Sequence, residues 1–319
     1  MASPLLTPVM TLPEYLKGSD VDDNARPFLE MFAKSSDIME SLPIEGIGGA
    51  IYQGYRQTAI PQSMGFRPIN GSSTSGAGVV TPFQEATYLI DHDIPVDRAL
   101  VRRGGDRRRA LEEQGGIARL GELWVNTFLK GDNTQNSSVF NGLQKRSAKQ
   151  GRNIDNSAGA SGGSALSLTQ LDWTIQNTRK ATHIIAPWAM LYRFIQAARN
   201  TSISGFVMQT WDGVGMPKMS YAGRPILFGY EKDLHPPILP FTEVATAGGA
   251  PVTSSIYVVH FGEDGLRGIQ IAPIEIRDVG LMEDSITMNT HISWDVGLVD
   301  EHLFCFTRLS GITNAPIIA

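Results

Sequence analysis

One cysteine stands among 319 residues, Cys305. A lone thiol excludes an intramolecular disulfide, and folding in a reducing cytoplasm fits. Its neighbours Leu303, Phe304 and Phe306 are apolar, which predicts a buried, inert side chain. Positive charge is not in excess: 27 Lys and Arg stand against 32 Asp and Glu, a net charge of -5. The basic signature of a dedicated nucleic-acid binder is therefore missing. No apolar run approaches the length of a membrane span. The first residues lack a basic stretch followed by an apolar one, so neither a membrane partner nor an export signal is expected. No G-x-x-x-x-G-K-[ST] loop exists to cradle phosphate, and no H-E-x-x-H to bind zinc. His92, His183, His235, His260, His291 and His302 are scattered, without metal-ligand spacing. No cofactor, no metal and no catalytic residue is expected, and internal repeats are absent.

Two short patterns were weighed against plainer readings. Gly159-Ala160-Ser161-Gly162-Gly163 matches G-x-S-x-G, but a nucleophile elbow needs an apolar strand before it. The preceding residues, Arg152 to Ser157, are polar, so a Gly/Ser loop is the better reading. Asp91-His92-Asp93 reads as a solvated strand end rather than a cation site.

What is present is a core-forming chain with 42% hydrophobic and 18% charged residues. Its 33 glycines and 18 prolines predict many turns. Residues 1 to 45 read as an extended arm whose segment 24–39 has helical apolar spacing, with Pro43 after it. Residues 50–58 read as a strand, 61–78 as a Pro/Gly/Ser excursion turning at Asn70-Gly71, and 81–101 as the returning strand. This excursion has too few large apolar residues for a core of its own. Segment 107–130 is the best helix, with Leu111, Ile117, Leu120, Leu123, Trp124, Phe128 and Leu129 on one stripe. Gly131 is a natural stop, and Gly115-Gly116 predicts a kink or break.

Residues 132–165 read as an exposed polar loop. Ser167 and Gln170 then have capping-box spacing before a helix. A strand is expected at 181–186 and a helix from Pro187 to Asn200. Further strands are expected at 205–210, 224–228, 255–261, 266–271, 286–295 and 302–309. Helices and strands mix without regular alternation, so the fold class is α+β. Arg102, Arg103, Arg107, Arg108 and Arg109 crowd the start of the long helix, where cations oppose the helix dipole. That conflict points outward, to an acidic neighbour or DNA phosphate. Pairing with Asp106, Glu112 and Glu113 on a solvated face is the plainer reading and takes precedence.

Several short stretches, in order, carry a resemblance. They are Ile60-Pro61 with Phe66-Arg67-Pro68-Ile69-Asn70, then Val96-Asp97-Arg98 before the long helix, then Phe128-Leu129-Lys130-Gly131-Asp132 and Phe140-Asn141-Gly142-Leu143 after it. Tyr221-Ala222-Gly223-Arg224-Pro225-Ile226, Ser255-Ile256-Tyr257-Val258-Val259 and Arg308-Leu309-Ser310-Gly311-Ile312 follow. Together they resemble the Hong Kong 97-type major capsid proteins of tailed phages, whose fold encapsulins share. The resemblance implies an N-terminal arm (1–45), an extended hairpin loop (46–85) and an axial domain (132–254). It implies a peripheral domain with a long spine helix from 86–131 and 255–319, some C-terminal strands being open to assignment to the axial domain.

It also implies a structural head protein that assembles into an icosahedral shell around double-stranded DNA. Its partners would be copies of itself in pentamers and hexamers, with scaffold, portal and decoration proteins admitted and DNA touched non-specifically. Its place would be the virion, after assembly in the bacterial cytoplasm. The acidic balance suits a container that does not adhere to its DNA. An encapsulin-like compartment or another virion structural protein is the alternative. The inter-subunit contact candidates are Ile51, Tyr52, Tyr55, Arg56, Phe66, Arg67, Ile69, Arg102, Arg103 and Arg107. Some family members cross-link through a lysine of the extended loop. Residues 46–82 contain Arg56 and Arg67 but no lysine, so no such cross-link is expected.

Overall fold

The computed structural model describes residues 10–11, 36–61, 64–104, 106–200, 207–211, 217–229, 237–283 and 286–318. In chain order these hold β1 (Met10–Thr11), α1 (Asp37–Ser41), β2 (Pro43–Gly46), β3 (Ile51–Ala59), β4 (Val79–Ala86), β5 (Tyr88–Asp97), α2 (Arg98–Gly104) and α3 (Asp106–Lys130). Next come α4 (Leu143–Gln150), β6 (Asn153–Asp155), α5 (Leu168–Gln176), β7 (His183–Ile185), α6 (Met190–Arg199), β8 (Val207–Trp211), β9 (Pro217–Tyr221) and β10 (Arg224–Leu227). β11 (Thr253–Val259), β12 (Leu266–Gln270), β13 (Glu275–Leu281), β14 (Thr287–Asp300) and β15 (Phe306–Thr313) complete it.

Three sheets result. A six-stranded sheet runs β1-β2-β12-β14-β13, with β5 along the other edge of β14. A seven-stranded sheet runs β6-β15-β11-β7-β10-β9-β8. Among the described residues β3 and β4 form an antiparallel hairpin paired only with itself. Strands β11 and β15 belong to the seven-stranded sheet, whereas the intervening β12, β13 and β14 belong to the six-stranded one.

The long helix α3 lies against the six-stranded sheet because one stripe of it is large and apolar. Ile117, Leu120, Trp124 and Phe128 recur at helical spacing and are buried. The Trp124 ring stacks on Phe128 at 5.3 Å and meets Trp294 of β14 at 6.3 Å. Leu111 and Leu123 are half exposed, so the stripe is narrower than expected. No break occurs at Gly115-Gly116. Gly116 lets Ile94 of β5 lie against the helix, where a Cβ would strike it. The helix stops at Lys130, and the Gly131 N–H donates to the Thr127 carbonyl at 2.8 Å. A second core packs α5 and α6 on the seven-stranded sheet through Leu171, Met190, Phe194, Ile256 and Val258.

Several expectations need correcting. The returning strand is two strands in two different sheets, split at Thr87, and its last residues are helix α2. Arg102 and Arg103 therefore lie in the last turn of α2, where the helix dipole favours cations. Only Arg107, Arg108 and Arg109 stand at the start of α3. The polar stretch 132–165 is not an exposed loop: it contains α4 and β6, with Phe140, Leu143, Arg146 and Asn156 buried.

Helix α5 starts after Ser167, as expected, but the Ser167 side chain makes no capping bond. The Ser167 N–H instead donates to Asn156 Oδ1 at 3.0 Å. The turn expected at Asn70-Gly71 sits one residue earlier. Gly71 N–H donates to the Pro68 carbonyl at 3.0 Å, with Asn70 in the left-handed region at φ 66°. Most of the helix expected at 24–39 lies outside the described residues. Its described end starts afresh, Ser36 Oγ accepting from the Ile38 N–H at 3.3 Å to cap α1. Strands β1, β2, β6, β9 and β13 were not anticipated. Cys305 is buried, and desolvation pushes its thiol pKa upward.

Candidate assembly surface

The β3–β4 hairpin pairs from Ile51↔Ala86 to Ala59↔Val79. Beyond the paired strands, Ile60, Met64, Phe66 and Ile69 lie mostly or wholly in solvent, and every residue from Ser72 to Val80 is exposed. Covering a Phe or Ile side chain stabilises by about 1.5–3 kcal/mol, so this tip carries unused binding energy.

The other end of the hairpin is gripped. Gly54 of β3 leaves room for the Phe83 ring of β4, which a Cβ at that position would meet. The Arg56 guanidinium lies 3.8 Å from the centre of that ring. Arg56 also donates to the Asp300 carbonyl, and its Nη2 stands 3.1 Å from Asp300 Oδ2. Tyr52 Oη donates to Glu301 Oε2 at 3.0 Å and accepts from Arg267 Nη2 at 2.7 Å. Arg267 in turn pairs with Glu45 Oε2 at 2.7 Å and Glu301 Oε2 at 3.0 Å.

Arg146 of α4 is the centre of the grip. It holds Glu85 of β4 through two bonds, at 2.7 and 2.9 Å, and also pairs with Asp300. Its remaining bonds go to the carbonyls of Asn141 at 2.7 Å and Leu298 at 2.9 Å. All five N–H groups of this buried guanidinium thus have acceptors. The carboxylates of Glu85 and Asp300 keep its pKa above the ordinary arginine value, against the desolvation that opposes it.

The sequence-derived contact residues divide accordingly. Ile51, Tyr55, Phe66 and Ile69 are exposed. Tyr52 and Arg56 are engaged inside the chain. Arg67 is exposed and donates to the Gly71 carbonyl at 3.1 Å. Arg102 and Arg103 are exposed on α2, away from the hairpin in sequence, and Arg107 lies in the first turn of α3. Arg109 is paired with Glu113 and Asp278, both at 2.8 Å.

Sequence reading missed Glu85, Arg146, Arg267, Asp300 and Glu301. The signal was there in part: Arg267 is a charge set inside the apolar strand β12, which buried pairing accommodates.

The other patterns hold little chemistry. Ser161 Oγ donates weakly to the Gly248 carbonyl at 3.4 Å, with no histidine or carboxylate bonded to it. Asp91 and Asp93 hold His291, not His92, at 3.0 and 2.8 Å. Among the described residues no cluster of three His, Cys, Asp or Glu suits a metal ion.

No family model matches this chain. No curated protein matches it either. Solved structures do. The holo-SrpI encapsulin complex from Synechococcus elongatus PCC 7942 is similar at TM-score 0.61 and 11% identity, over 88% of this chain and 89% of that one. A structure of Microbacterium phage Oxtober96 is similar at TM-score 0.59 and 9% identity, over 87% and 90%. The capsid of a native GTA particle is similar at TM-score 0.57 and 10% identity, over 88% and 91%. At these identities the likeness is one of architecture, and it covers most of the chain: the chain has the Hong Kong 97-type fold.

Proposed function

We propose that this chain is the major capsid protein of a tailed bacteriophage, a structural subunit without catalytic chemistry. The observation that carries this reading is the β3–β4 hairpin, which holds a bare apolar tip away from any core the chain can offer it. A subunit on this fold buries such a tip on another copy, and contacts of that heterologous kind close into shells. In this reading α3 and the six-stranded sheet form the peripheral unit. The seven-stranded sheet, with α5, α6, β11 and β15, forms the axial unit around which pentamers and hexamers meet. Ile51, Tyr55, Phe66, Arg67 and Ile69 are the hairpin's contacts, and Arg102, Arg103 and Arg107 form a second contact patch. Packaged DNA is touched non-specifically inside the virion, the shell having assembled in the host cytoplasm.

Electron microscopy of the purified protein across a range of concentrations tests this. Uniform closed shells are expected, and deleting residues 59–78 is expected to leave a folded monomer that forms none. A monomer at every concentration, even when co-expressed with phage scaffold and portal proteins, overturns the reading. The similarity to an encapsulin complex favours one alternative, a compartment shell. Purified particles separate the two, since the phage reading requires DNA inside and the compartment reading requires a protein cargo.

A further inference from the structure

The hairpin joins the body through two short connections. On one side Ile47 still bonds to the Gln270 carbonyl of the sheet, leaving Gly48, Gly49 and Ala50 before β3, with open space where a side chain at either glycine would stand. On the other a single residue, Thr87, separates β4 from β5. Glycines permit wide backbone rotation, and an isolated two-stranded hairpin is marginal by itself. Nothing in its own ladder fixes the direction in which it points. That direction is set at its base, where both strands are tied to the body by charge. Glu85 of β4 meets Arg146 of α4, Arg56 of β3 meets Asp300, and Tyr52 of β3 meets Arg267 and Glu301.

We propose that this arginine cluster is an orientation lock: a permissive glycine hinge held at one angle by Arg146, Arg56 and Arg267, set inside the subunit before any neighbour arrives. The consequence for assembly rests on the shell-subunit reading. A tip held at one angle presents the same geometry to every neighbour, so the curvature between copies is uniform. Removing the lock lets the hairpin swing and the curvature vary. Preorganisation of this kind also strengthens association, because the hairpin loses little freedom on docking.

Hydrogen exchange on the free subunit tests the lock independently of shell formation. The Glu85→Gln/Arg56→Met pair removes the two hairpin charges that face the body while leaving Arg146 with Asp300. Amides of residues 51–59 and 79–86 are expected to exchange at least about tenfold faster, the loss of a bond to a charged group. Amides of β5 and β14 are expected to stay as protected as in the parent. Tyr52→Phe is the milder variant and keeps every charge; a smaller rise is expected there. Unchanged hairpin exchange in both variants overturns the lock. Shells of mixed diameter from the double variant support its role in curvature, and uniform shells despite a faster-exchanging hairpin overturn that role. If the parent protein forms no shells even when co-expressed with phage scaffold and portal proteins, the capsid reading fails, while the exchange measurement still judges the lock.

Discussion

Two stretches of this chain look alike in composition and end in opposite places. Residues 61–78 and 132–165 are both rich in Gly and Ser and poor in large apolar side chains. The described residues of the first stay mostly in solvent. The second folds into the body as α4 and β6. The difference lies in where the polar groups find partners. In the second stretch Asn156 donates to Ser164 Oγ and the Ala165 carbonyl, both at 2.8 Å, and accepts from Ser167 N–H. Asn133 Nδ2 reaches Tyr88 Oη at 2.8 Å, and Lys145 ties Asp132 to Thr134 at 3.0 Å each. In the first, the described side-chain bonds amount to Arg67 reaching Gly71. A polar segment is an exterior loop only when water is its best partner.

The sharpest test of that contrast compares two perturbations. Asn156→Ala strands several buried groups and is expected to lower unfolding free energy by about 2–3 kcal/mol in denaturant titration. Phe66→Ser combined with Ile69→Ser is expected to change it by less than about 0.5 kcal/mol, since nothing within the subunit covers either ring or branch. If the tip variant proved as damaging as Asn156→Ala, the hairpin would be packed in the free subunit after all.

The same contrast appears in miniature at two adjacent glycines. Gly116 faces Ile94 and Gly115 faces open space. Gly116→Ala is expected to cost about 1–3 kcal/mol through overpacking. Gly115→Ala is expected to gain about 0.5–1 kcal/mol through helix propensity, read in the same titration.

The smallest effect expected is electrostatic. His291 on β14 is bonded to Asp93 and Asp91 of β5, and these bonds raise its pKa above 6.5. The raised value means the stabilisation is fully present below the unfolded pKa and is lost as pH climbs through the folded one. His291→Asn should therefore melt earlier than the parent at about pH 5.5 and match it at about pH 9. An equal gap at both pH values would show that the pairing is not ionic.

The elements with strong periodicity were legible in the sequence. Trp124 and Phe128 at helical spacing announced α3, and the β-branched and aromatic run Ile256-Tyr257-Val258-Val259 announced β11. Strand β13 was not, because Glu275, Asp278 and Gly280 break its alternation and its partner β14 supplies the ladder. The tip of the assembly surface was legible as apolar residues with nowhere local to go. Its base was not. Arg146 sits 61 residues from Glu85 and 154 from Asp300, distances at which spacing carries no information.

The order of strands in the seven-stranded sheet has a consequence for how the protein is made. Strand β15, drawn from Phe306–Thr313, lies between β6 and β11 rather than at an edge. Until it has been synthesised, β6 has no neighbour and β11 has an open side. The growing chain therefore cannot complete this sheet before residues 306–313 have emerged, whatever precedes them. The sheet is closed by pairing segments far apart in the chain, β6 at 153–155 with β15 at 306–313, rather than strand by strand in order of synthesis.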